Sequence, residues 1–249
     1  AGEGTCTGTF SIASDNAYAL YLNGEYRANV NGGRTNVANC DTATNQFGDP
    51  YTGCNWQSVD LHEFSVIGNL VIGVDALDAG GTGGWIGTAV VNGEEYGTNA
   101  ADWKCWHGTT TAGQNGGWSD VNAGWHGDAP PDGWMNVGYD ASAWPSAISL
   151  GANGVGPWGD VNREMGAVDD GGLGEISVTS EWIWSEDADA HNDVYCRFEL
   201  PCGGTADTCD NMVTNPELDG PVVGNGIEGW SSVSANIRVA DWDGRTGVI

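Results

Sequence analysis

The sequence predicts an all-β fold, an antiparallel β-sandwich of jelly-roll type with long Trp- and Gly-rich loops. Short apolar runs alternate with polar residues at the two-residue period of a strand with one buried face. Turn formers are dense, with 41 glycines among 249 residues. No segment of about 12 residues repeats apolar positions at i, i+3, i+4 and i+7 without a Gly or Pro, which disfavours helical and alternating α/β architectures.

Taken in chain order, residues 17–22 place Tyr18, Leu20 and Leu22 on one strand face and Tyr21 on the other, and Asn23-Gly24 supplies the positive φ angles of a tight hairpin. Leu70, Ile72, Val74 and Ala76 alternate in the same way. A strand over 85–91 is turned back by Asn92-Gly93. Residues 103–158 hold seven of the 13 tryptophans without clear alternation, and read as long loops partly covering the sandwich. Trp182 and Trp184 are expected on one strand face. Val194, Cys196, Phe198 and Leu200 share a face, with Tyr195, Arg197 and Glu199 on the other. After Gly204 the composition changes, so residues 1–204 are expected to form the sandwich and 205–249 a partial second β module or an inter-subunit tail with too little apolar material for its own core.

Seven Lys and Arg against 34 Asp and Glu leave a net charge of −27. Phosphate contacts need clustered cations, so nucleic acid is not expected as a partner and anionic membrane surfaces are disfavoured. No apolar run approaches the roughly 20 residues that span a bilayer, so membrane insertion is not expected. Neutral molecules or cations are the expected partners. The seven cysteines contain no CxxC pair, and their dispersal through a Gly-rich β chain suggests disulfides and secretion to the extracellular space. Cys40 with Cys54 closes a local Asn/Thr/Gly loop, while the odd count leaves one thiol over, assigned to Cys209 as unpaired or inter-subunit.

The segments Asp15-Asn16-x-Tyr18-x-Leu20-Tyr21-x-Asn23-Gly24, Gly68-Asn69-Leu70-Val71-Ile72-Gly73-Val74 and Asp102-Trp103-Lys104 follow one another in an order that resembles the galactose-binding-domain-like β-sandwiches. Tyr139-Asp140-x-Ser142-x-Trp144, Trp182-Ile183-Trp184 and Tyr195-x-Arg197 resemble the second half of the same sandwich. Thr214-Asn215-Pro216-x-Leu218 with Gly229-Trp230 is similar to the opening of another carbohydrate-binding module. The resemblance implies glycan binding or extracellular adhesion, and a structural Ca²⁺ of the kind such sandwiches often carry.

Two constellations could carry that chemistry. Trp118, Trp125, Trp134 and Trp158 lie in loop-like sequence, where an exposed indole can stack on a pyranose ring while Asp120, Asn122 and Asp128 accept hydroxyl hydrogen bonds; the alternative is that these indoles fill gaps between Gly-rich segments. Glu186, Asp187, Asp189 and Asp193 could hold Ca²⁺ through carboxylate oxygens, against the alternative of a solvated acidic surface. They are not an EF-hand, because counting from Asp187 the required Gly falls on Asn192 and the bidentate Glu on Phe198. His62, His107, His126 and His191 share no spacing and read as surface or loop residues.

Enzyme signatures are mostly absent at the motif level. Lys104 follows Trp103 rather than Gly, His62-Glu63 is not completed by a His at Val66, and no Gly-x-Ser-x-Gly occurs. The leading expectation is a secreted, non-catalytic sandwich that recognises a neutral glycan. Self-association into an extracellular filament or matrix through the C-terminal tail, and an accessory part of a glycan-active enzyme, are the alternatives.

Overall fold

The computed structural model describes residues 4–27, 44–52, 56, 59–78, 80–108, 128, 130–155, 157–164, 174–202, 222–223 and 226–227. The chain divides into two compact units, Ala1–Gly204 and Thr205–Ile249. The first is an all-β sandwich of two antiparallel sheets. In the second, β12 (Val222–Val223) and β13 (Gly226–Ile227) pair as an antiparallel hairpin.

The five-stranded sheet runs β3 (Glu25–Arg27), β2 (Ala17–Leu22), β5 (Leu70–Leu77), β11 (Asp193–Leu200), β8 (Lys104–His107). The other is six-stranded, running β4 (Asp60–Ile67), β1 (Thr5–Asp15), β6 (Gly84–Val91), β10 (Glu181–Trp184), β9 (Ile148–Ala152), with β7 (Glu94–Gly97) beside β6. The one helical turn among the described residues is α1 (Val161–Glu164).

Alternation places the core. Tyr18, Leu20, Leu22, Leu70, Ile72, Val74, Ala76, Val194 and Cys196 meet Phe10, Ile12, Phe64, Trp85, Ala89 and Val91 between the sheets, as the sequence pattern requires. The two Asn-Gly pairs turn their hairpins with φ of 52° and 84° at Asn23 and Gly24, and 51° and 87° at Asn92 and Gly93. Both central residues are left-handed, which Asn and Gly tolerate best.

Two polar residues break the apolar pattern from within. Asp60 and His62 on β4 lie opposite Ile12 and Phe10 and so face inward, where the Tyr18 hydroxyl from the facing sheet donates to Asp60 Oδ2 at 2.7 Å and lies 2.9 Å from His62 Nε2. The bonds offset their burial.

Cys105 and Cys196, directly opposite on β8 and β11, form one disulfide; Cys6 on β1 and Cys202 beyond β11 form another, across a separation of 196 residues. Both fit an oxidising, extracellular compartment. Cys40, Cys54 and Cys209 lie outside the described residues.

Trp182 and Trp184 correct the expectation of a shared face. The β9–β10 register shifts between Trp182 and Ile183, and Ile183, opposite Trp85, faces between the sheets. Trp182 joins a separate cluster on the outer face of the six-stranded sheet, whereas Trp184 ends the strand in the main core and donates its indole N–H to the His191 carbonyl at 2.8 Å. No helix among the described residues is long and apolar enough to cross a membrane.

Candidate functional site

The outer face of the five-stranded sheet carries the chemistry-bearing residues, because alternation that sends apolar side chains inward on β2, β5 and β11 sends Tyr21, Asp75, Asp193, Tyr195 and Arg197 outward. These do not meet water. Segments 44–52 and 130–145 roof the face, and Tyr51, Trp134 and Trp144 pack on it. Gly73 is the seat of that roof, since a Cβ there would stand 3.0 Å from the Trp134 ring. Arg197 ties it down, donating to the Trp134 carbonyl at 3.0 Å, with its guanidinium 5.5 Å from the Tyr139 ring centre.

Beneath the roof Asp75 accepts from Asn45 Nδ2 at 3.0 Å and from the Tyr51 hydroxyl at 3.1 Å, while Asp193 accepts from the Tyr195 hydroxyl at 2.9 Å. Burial first, and then the adjacent Asp193 carboxylate, push the Asp75 carboxyl well above the usual range. The same burial raises the Tyr51 and Tyr195 hydroxyls, which remain donors. Asp75 is fully buried, so this cluster is an internal hydrogen-bonded network rather than a surface a substrate reaches.

The predicted sugar-stacking residues separate into two sets. Trp134 and Trp158 are 0% and 2% exposed, which assigns both to packing and corrects the expectation of a free indole face. Trp158 stacks on Trp182 with ring centres 4.3 Å apart, lies over Gly84, and donates its N–H to Asp15 Oδ2 at 2.8 Å. Trp118, Asp120 and Trp125 lie outside the described residues. Among the described aromatics, Phe47 stands out at 41% exposed, edge-on to Tyr21 in the roofing segment.

The predicted calcium carboxylates point to separate partners. Asp187 Oδ1 caps its own turn, accepting from the Asp189 and Ala190 amides at 3.1 Å each. Asp189 accepts from Thr82 Oγ1 at 2.7 Å, Asp193 belongs to the roofed network, and Glu186 lies 3.1 Å from His107 Nε2. Among the described residues, Glu186 is the one of the four that enters a group of potential metal ligands, and its companions are His107 and His191. Those three offer ligand atoms that all lie within 4.8 Å of one another. Sequence spacing missed this trio because His107 sits at the end of β8 and His191 just before β11, and only the β8–β11 pairing joins them. Burial, and then the neighbouring His107, lower the affinity of His191 for a proton.

No family model matches the chain, and no solved structure matches it. The chain is similar to a protein of Streptomyces avermitilis named alpha-L-rhamnosidase, with 28% identity over 157 residues. That stretch is 61% of this chain and 12% of the relative. The likeness is therefore to a small portion of a much longer glycoside hydrolase.

Proposed function

We propose that this chain is a non-catalytic carbohydrate-recognition sandwich of the galactose-binding-like kind, acting outside the cell as an accessory part of a glycan-active polypeptide. The observation that carries it is the similarity confined to 12% of a named glycosidase, a span suited to a module rather than to the whole enzyme. The sandwich architecture agrees with that role. So does the burial of Asp75 and Asp193, which keeps the described carboxylate cluster on the sheet away from a substrate.

Trp118, Trp125 and Asp120 are the proposed sugar contacts, the indoles stacking on a pyranose and the carboxylate accepting from its hydroxyls. The ligand is a neutral glycan, and L-rhamnosyl sugars are the first to try, given the relative's name. Calorimetric titration of the intact chain with neutral oligosaccharides is expected to give saturable binding that W118A or W125A weakens and that W134A leaves intact per folded molecule. Repeating it after chelation reads the Ca²⁺ requirement expected from the resemblance. No binding to any neutral saccharide, or release of free sugar, contradicts the proposal.

A further inference from the structure

We propose that His107, Glu186 and His191 form a binding site for one divalent transition-metal ion, with zinc the best chemical match. His107 Nδ1 lies 3.0 Å from the Gly108 carbonyl oxygen, which can only accept, so Nδ1 carries the hydrogen and Nε2 of the neutral ring is a bare lone pair. That lone pair stands 3.1 Å from Glu186 Oε1, which is also an acceptor. Two acceptors this close require a cation between them, either a proton or a metal ion.

The third ligand makes the metal the better occupant. The His191 ring stacks on His107 with centres 3.5 Å apart and planes 17° from parallel, which brings a second imidazole beside the Glu186 carboxylate. Ser185 Oγ lies 2.7 Å from His191 Nδ1, and with the Nδ1–H donating to that oxygen the far nitrogen carries the lone pair for a ligand bond. Outer-shell hydrogen bonds of this kind, Gly108 to one ring and Ser185 to the other, are what orient ligating imidazoles.

Zinc bonds of about 2.0–2.2 Å in tetrahedral geometry set ligand atoms roughly 3.4 Å apart. Closing from within 4.8 Å needs the partly exposed His107 ring to tilt off the buried His191 ring so that their lone pairs converge. Glu186 has 64% of its side chain exposed and gives the ion a path in, while His191 anchors the buried side. Two imidazoles with one carboxylate suit zinc and disfavour calcium, which takes six to eight oxygens. A net charge of −27 draws cations toward the surface.

The test uses the full chain, stripped with chelator and with free thiols alkylated so that cysteine cannot bind the ion, and titrated with Zn²⁺ in a calorimeter. One equivalent per chain is expected, with E186Q and H107Q each weakening binding at least about tenfold and H126Q leaving it unchanged. E186Q changes an exposed side chain, so its melting in the absence of metal should match the parent. Co²⁺ bound at the same stoichiometry should show the visible bands of a tetrahedral site in the parent and lose them in H191Q. Zn²⁺ affinity unaltered in the H107Q/E186Q double variant, no saturation at one equivalent, or Ca²⁺ competing on equal terms would each overturn the assignment.

Discussion

Asp78 and His62 show how single buried groups set the response to acid in opposite directions. Burial, partly offset by the Gly80 amide that bonds Oδ1, lifts the Asp78 carboxyl to about 6. Burial, with a lesser push from Arg27, lowers His62 to about 4. The folded chain binds the Asp78 proton more tightly than the unfolded one, so this group stabilises at low pH and its contribution is lost as pH rises from about 3.8 to 6. His62 does the reverse, its contribution present above 6.5 and lost as pH falls toward 4. Each is worth roughly 3 kcal/mol across its window, and they largely cancel between pH 4 and 6. In Asp78→Asn the cancellation ends, and urea denaturation at pH 4 and pH 7 should show pH 7 gaining by up to about 3 kcal/mol relative to pH 4; an equal change at both values would sink this account.

Trp134 carries the second residue-scale prediction. Truncation to Ala should cost about 3–5 kcal/mol, because a fully buried indole seated over Gly73 leaves a cavity. Thermal denaturation checks it, and a loss under 1 kcal/mol would mean the roof tolerates the gap. The sequence marked this residue as either sugar contact or filler. It could not choose, since loop sequence has no period from which burial can be read. Asp75 was more legible than it looked, as the one charged side chain in the apolar run LVIGVDAL, which signals a polar group that must be satisfied under cover.

At the scale of elements, the strands with clean alternation, β2, β5, β6 and β11, stand where the sequence put them. β4 was invisible because Asp60 and His62 occupy inward positions, so the polar-apolar rhythm is lost there even though the burial rhythm is intact. The β9–β10 register shift, which skips Leu150 on β9, likewise left no mark in the sequence, and Trp182 and Trp184 end in different clusters. Disulfide partners were illegible for a different reason: Cys6 and Cys202, and Cys105 and Cys196, are joined only by the sheet topology. Closing loops of 196 and 91 residues, these bonds should each contribute roughly 4–5 kcal/mol in the chain-entropy account. Replacing Cys105 and Cys196 together by Ser should lower the denaturation midpoint strongly, and an unchanged midpoint would show that the β8–β11 ladder alone holds that edge.

For the whole molecule, charge, composition and strand pattern delimit the function class before any side chain is placed, whereas the site depends on long-range pairing that no local spacing records. The net charge disfavours polyanions, the sandwich supplies the frame, and the similarity to a small part of a rhamnosidase is what supports the proposed carbohydrate role. Self-assembly through residues 205–249 is the competing reading, and non-reducing mass analysis with light scattering distinguishes it, since a reducible oligomer would favour a building block over a recognition module. The most direct measurement of the central claim is calorimetric titration of the intact, oxidised chain with rhamnose-bearing and other neutral oligosaccharides, with the products examined for free sugar. Saturable binding without hydrolysis, weakened by W118A or W125A, is the predicted result. Hydrolysis, or no heat of binding with any neutral saccharide, would contradict it.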